Sequence, residues 1–249
     1  MAENSKLVLI TGAAKRIGKS IALDLASHGY DIAIHYNKAQ DEAFDLKSEI
    51  EFYDVECDIF QADLSRFTSP KKLIDTVCNK MGVPHILINN ASVFEPDDIV
   101  TLSEQSYEKH MNINLRSPLF LVKELAERIG KKASGNVINI VDQRVLNLTP
   151  QYLSYTLSKT ALHTLTTTLA QNLAPNIRVN AIGPGPTLRN VRQSDVDFNA
   201  EACRTLLGKG PALSELSEAI RFILAVPSMT GQMITLDGGQ HLEWKINNE

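Results

Sequence analysis

Short aliphatic runs and longer amphipathic stretches alternate along the whole 249-residue chain. The runs Leu7–Thr11, Ile32–Tyr36, Cys57–Gln61, Ile86–Asn89, Val137–Val141, Arg178–Ile182 and Met233–Leu236 read as near-continuous apolar strands. Such strands belong to a sheet covered on both faces. Between them, apolar residues recur at helical spacing in Ile17–His28, Ala39–Phe52, Pro70–Met81, Asn112–Ile129, Ser154–Leu173 and Glu215–Ala225. The alternation predicts one α/β domain over residues 1–249, a doubly wound parallel sheet of about seven strands with helices on both faces. A ligand crevice is then expected at the C-terminal ends of the strands. Residues 186–212 break the pattern with Pro, Gly, Asn and charge, and are expected to form a mobile lid over that crevice.

Composition narrows the class. Hydrophobic residues at 43% and charged residues at 22% are ordinary for a globular protein. A net charge of −4 argues against a nucleic-acid partner. Cys57, Cys78 and Cys203 are odd in number and far apart, which suits reduced thiols better than a disulfide framework or a zinc site. No signal peptide is visible in the polar stretch Met1–Lys6, and no apolar run approaches the roughly 20 residues of a membrane span. The expectation is a soluble cytoplasmic protein acting on a small molecule, without membrane or metal.

The strand ends carry the candidate chemistry. Behind Leu7–Ile10 stands Thr11-Gly12-Ala13-Ala14-Lys15-Arg16-Ile17-Gly18, where a glycine turn opens a helix whose free N–H groups suit a phosphate. The second strand ends in His35-Tyr36-Asn37-Lys38, with Asp31 before it and Asp41 beyond it. With no carboxylate at that end, a 2′-phosphate is not repelled, and Lys15, Arg16 and Lys38 attract it, so NADPH is expected over NADH. Asp63, followed by Leu64, either accepts from an adenine amino group or caps a helix. Asn89-Asn90-Ala91-Ser92 is either a close approach for a cofactor or an Asx turn. Tyr155 and Lys159 stand at i and i+4, on one face of a helix. At that spacing the ammonium is expected to lower the phenol from its usual value of about 10 and ready it for proton transfer.

In combination these features closely resemble the short-chain dehydrogenase/reductase family. The ordered set is Thr11-Gly12 with Gly18, Asn89-Asn90-Ala91, Asn114, Tyr155-x-x-x-Lys159, and Asn180-Ala181-Ile182-Gly183-Pro184-Gly185. The likeness runs to Leu236-Asp237-Gly238-Gly239 and implies a Rossmann-type fold. It makes Tyr155 the proton donor, Lys159 the holder of the nicotinamide ribose, and Asn114 the anchor of a relay water. Pro184, Gly185 and Thr187 would border the nicotinamide, with Asn90 and Ala91 along its ribose. Ile17, His35, Tyr36, Asn37, Leu64 and Ser92 complete the expected cofactor set. The family also implies a homotetramer, in which a tail around His241 and Trp244 approaches a neighbouring site.

Two departures narrow the branch. The position thirteen before the tyrosine, normally serine, is Asp142, and Arg16 replaces the middle glycine of the loop. With Asn90–Phe94, His35-Tyr36 and the ending Leu236–Leu242, these are similar to pteridine reductases and dihydromonapterin reductases. On that likeness Phe94 stacks on a pterin, Ser92 meets its edge, Leu188 borders it, and Arg16 spans cofactor phosphate and pterin carbonyl. Asp142 suits a ring nitrogen that gains a proton better than a ketone, because a carboxylate repels a developing alkoxide. The resemblance thus implies an NADPH-dependent pteridine reductase. A carbonyl or 3-oxoacyl-thioester reductase is the alternative, followed by a non-catalytic NADPH-binding protein. Blander roles stay open: Arg16 as a phosphate contact alone, Phe94 as core, Asp142 as a polar loop residue.

Overall fold

The computed structural model describes residues 6–130, 133–190 and 193–243, so Met1–Ser5 and Trp244 lie outside the described residues. Seven strands form one sheet: β1 (Leu7–Ile10), β2 (Asp31–Tyr36), β3 (Cys57–Gln61), β4 (Ile86–Asn89), β5 (Gly135–Ile140), β6 (Ile177–Pro184) and β7 (Met233–Leu236). All pairs are parallel, in the spatial order β3-β2-β1-β4-β5-β6-β7. The helices are α1 (Arg16–Ser27), α2 (Gln40–Ile50), α3 (Ser69–Met81), α4 (Glu104–Met111), α5 (Ser117–Ile129), α6 (Leu153–Leu173), α7 (Asp195–Cys203) and α8 (Leu213–Ala225).

Alternation along each strand divides the core. Val8, Ile10, Ile32, Ile34, Ile88 and Ile138 point to the side covered by α1, α2 and α8. Leu7, Leu9, Leu87, Val137 and Val179 point to the side covered by α3 and α5. The chain winds outward from β1 in one direction and from β4 in the other, which places a crevice between their C-terminal ends.

The strand pattern holds with shifts at the ends. β1 stops at Ile10 because Thr11 turns its hydroxyl inward, donating to the Ile88 carbonyl and accepting from the N–H groups of Asn90 and Ala91. β5 stops at Ile140, and Asp142 instead caps a 3-10 turn over Gln143–Val145. Two helices were not expected. α4 precedes the long helix and joins α5 through a π turn at Asn112–Arg116. α7 lies inside the segment expected to be irregular, so residues 186–212 are partly helical. No described helix is long and apolar enough to cross a membrane.

Candidate active site

The loop after β1 is braced from beneath. Gly12 has φ 63°, the left-handed region that favours glycine, and a Cβ there would stand 3.0 Å from the Ala91 Cα. At Gly18 a Cβ would press on the Gly12 carbonyl and lie 2.6 Å from Asn90 Nδ2. Asn90 Nδ2 donates to the carbonyls of Thr11 and Gly12 at 2.9 and 3.0 Å. His35 Nδ1 accepts from the Gly12 N–H at 3.0 Å, and Nε2 lies 3.1 Å from the Ala62 carbonyl. Burial lowers the His35 pKa to about 4, so the ring is neutral and keeps that acceptor. The first turn of α1 has no side-chain cap, which leaves N–H groups available to an anion. This cradle fits a dinucleotide phosphate.

The loop opens into a cavity of about 740 Å³ that also reaches Ile17, Asn37, Leu64, Pro184, Gly185, Thr187 and Leu188. That size lies within the usual range for cofactor and ligand sites. Thr187 Oγ1 donates to the Gly185 carbonyl at 3.0 Å.

Several expected cofactor residues lie elsewhere or are already engaged. Tyr36 is buried in the core beneath α1 and α2, not in the cavity, because its strand position faces that layer. Lys38 and Asp63 line a neighbouring groove. Asp63 Oδ1 accepts from the Ser65 N–H and hydroxyl, so it caps its own turn. Lys15 pairs with Glu42 on the surface. Arg16 has φ 58°, and its guanidinium donates to the carbonyls of Arg189 at 2.8 Å and Leu188 at 3.2 Å. It therefore ties the glycine loop to the segment after β6, a contact the sequence reading did not contain.

Across the cavity, Tyr155 donates to Asp142 Oδ2 at 2.7 Å, and Asp142 Oδ1 accepts from the Arg144 N–H at 2.8 Å. Burial pushes the Asp142 carboxyl up. Tyr155 is held well above its ordinary value, first by burial and then by the Asp142 charge. This corrects the expectation that Lys159 lowers it. Lys159 Nζ donates to the Ile140 carbonyl at 2.7 Å and lies 5.7 Å from the Tyr155 ring centre. Burial lowers the lysine itself to about 8.

Asn114 lies behind this wall in the π turn. Its Oδ1 accepts from the Val93 N–H and the Ser92 hydroxyl; its Nδ2 donates to the Val93 carbonyl and Ser158 Oγ. The amide is thus a clamp between the 92–93 loop and α6, and both of its hydrogens have protein acceptors. Ser92 is exposed at the cavity edge. Phe94 is half-buried and meets Tyr155 edge-on at 4.6 Å.

Sequence reasoning missed the outer wall. Tyr152 stacks on Phe94 at 4.3 Å, and the Arg144 guanidinium lies 5.2 Å from Tyr152 and 5.7 Å from Phe94. Gln193 and Glu201 reach the cavity from the 186–212 segment, and Gln240 from the C-terminal turn. An aromatic three residues before Tyr155 was the one available signal; Glu201 had none, since its neighbours are distant in sequence. His241 Nδ1 bonds Asp237 Oδ2 of its own chain at 2.7 Å.

Known proteins are similar to this chain over nearly its whole length. FolM alternative dihydrofolate reductase 1 from Brucella suis, solved in complex with NADP, superposes with a TM-score of 0.93 at 42% identity, over 97% of each chain. The uncharacterized oxidoreductase YjdA of Bacillus subtilis is 33% identical over 94% of this chain and 96% of its own. A 3-oxoacyl-[acyl-carrier-protein] reductase, FabG of Staphylococcus epidermidis, is 27% identical over 96% of this chain and 100% of its own. The short chain dehydrogenase family matches residues 6–199, and the protein belongs to that family.

Proposed function

We propose that the protein is an NADPH-dependent reductase of a pteridine, adding hydride to the carbon and a proton to the nitrogen of one C=N bond. The observation that carries this reading is the bond from Tyr155 to Asp142, a carboxylate where a neutral serine is usual. A carboxylate beside the donor disfavours an alkoxide product and favours a nitrogen that ends protonated. The likeness to the Brucella suis dihydrofolate reductase supports the same substrate class.

NADPH, when bound, supplies the hydride. The α1 N-terminus and the loop braced by His35 and Asn90 would hold its phosphates, and Gly185 and Thr187 would border its nicotinamide. Phe94, which lines the cavity, offers an aromatic surface to a flat heterocycle. Tyr155 gives its proton to the ring nitrogen, and a proton that Asp142 takes up from solvent then passes along their hydrogen bond to the phenolate, which restores both the tyrosine and the carboxylate. The buried ammonium of Lys159 adds positive charge behind the tyrosine.

The test is NADPH oxidation with dihydrobiopterin, dihydromonapterin and dihydrofolate beside an acetoacetyl thioester. Turnover of a dihydropterin or dihydrofolate is expected. Activity confined to the thioester would replace this reading with the one that the FabG likeness favours.

A further inference from the structure

We infer that Asp97 is a positioning residue of this active site, locking the loop that carries Phe94 to the first turn of the helix that carries Tyr155. The inference rests on Tyr155 being the proton donor.

α6 starts without a cap of its own. Tyr152, at its N-cap, has φ 60° and its side chain makes no capping bond. The helix is held instead from 56 residues upstream: the Leu153 N–H donates to the Asp97 carbonyl at 3.1 Å, and the Ser154 N–H donates to Asp97 Oδ1 at 3.0 Å. Ser106 Oγ, on α4, donates to Oδ2 at 3.2 Å. Asp97 is only 5% exposed. Burial alone would raise its carboxyl, yet the bonds from Ser154 and Ser106 together hold it below its ordinary value. An anion is thereby kept at the positive end of a 21-residue helix.

The loop is pinned at alternate residues. Asn114 holds Val93 at its N–H and carbonyl, His110 Nε2 accepts from the Glu95 N–H at 3.2 Å, and Asp97 closes the series on α6. Phe94 lies between the first two pins and packs on Tyr152 and Tyr155. Tyr155 is the residue after Ser154. Loss of the Asp97 carboxylate leaves the backbone bond to Leu153 and the pins at Val93 and Glu95 but removes the side-chain link from the loop to Ser154 and Ser106, so the two walls of the substrate half loosen against each other. A displacement near 1 Å is enough to cost about a hundredfold in rate.

The test compares Asp97→Ala, Asp97→Asn and Ser154→Pro, each assayed with NADPH and the wild-type substrate well below its own melting temperature. Asp97→Ala is expected to lower kcat about tenfold or more and to raise the substrate KM, with NADPH affinity within about twofold of wild type. Asp97→Asn, whose amide oxygen still accepts the Ser154 N–H, should keep at least about a third of kcat. Ser154→Pro deletes the same bond from the helix side, in a first turn where proline is tolerated, and should reproduce the kcat loss. If Asp97→Ala does not fold, the other two decide. Wild-type-like kcat in Asp97→Ala or Ser154→Pro, or equal losses in Asn and Ala, overturns the inference. Full turnover by Tyr155→Phe would instead sink the proton-donor reading on which it stands.

Discussion

Tyr155 and Asp142 share one short hydrogen bond, with the phenol as donor and Oδ2 as acceptor at 2.7 Å. The other carboxylate oxygen is fixed by the Arg144 N–H, so the side chain cannot swing away without losing the cap of the turn that follows. Burial raises the carboxyl, and burial together with the Asp142 charge holds the phenol well above its ordinary value, so the phenol keeps its proton at neutral pH until a substrate takes it. Asp142→Ser should therefore lower kcat on a dihydropterin by about a hundredfold or more, the usual scale for a positioned proton-transfer group. Tyr155→Phe should do the same. The double variant should lose little beyond either single one, since the two act as a unit. Steady-state kinetics of the three variants checks this; additive losses would separate the roles.

Lys159 sets an upper pH limit. Burial lowers it to about 8, and the Asp142 charge holds it up against a larger fall. Its positive charge is present below that value and lost above it, so kcat/KM for reduction should fall as pH rises through about 8. Removing the Asp142 charge with Asp142→Asn should move this limb to lower pH, read on the residual activity. A limb that stays in place in that variant would mean another group titrates there.

His35 makes folding pH-dependent. Its folded value, about 4, lies below the ordinary 6.5, so the unfolded chain binds the proton first as pH falls. Stability is then full above about 6.5 and declines until about pH 4, by up to about 3 kcal/mol if the whole shift is expressed. His35→Asn keeps an acceptor for the Gly12 N–H and has no such titration. Melting temperatures between pH 4 and 7 should fall less steeply for that variant than for wild type.

Arg16→Gly tests a different balance. Glycine takes the φ of 58° without the strain of an L side chain, a relief of about 1 kcal/mol. It also loses both bonds to the Leu188 and Arg189 carbonyls. The substrate KM should rise several-fold while NADPH affinity changes less, because the phosphate cradle is made of backbone and His35. Faster proteolysis after β6 should accompany the change; equal loss of both ligands would place Arg16 on the cofactor instead.

The strands were legible because burial on both faces makes them mostly apolar runs, with only a few buried polar residues such as His35, Asn139 and Asn180 among them. Tyr155 and Lys159 were legible because helical spacing fixes a shared face. α4 and α7 were not: His110 is the only buried residue of α4, and α7 buries none, so neither carries a periodic apolar signal. Nor does a residue's place in a strand ending reveal which way it turns. Tyr36 and Lys38 flank Asn37, yet only Asn37 reaches the main cavity. Arg16 stands out in the sequence, but the carbonyls it bonds lie 172 and 173 residues away, beyond any local pattern.

The π turn at Asn112–Arg116 has a consequence for how this chain tolerates length changes. A π turn holds one more residue than the α-helical path it interrupts, so deleting one would restore a regular helix through α4 and α5. Asn114 itself lies in that turn, so removing a residue there displaces its amide from Val93 and Ser158 even where α4 and α5 keep their packing faces. The surplus residue places the clamp. A single-codon deletion there should therefore be far more damaging than one in the exposed loop at Asp98–Thr101.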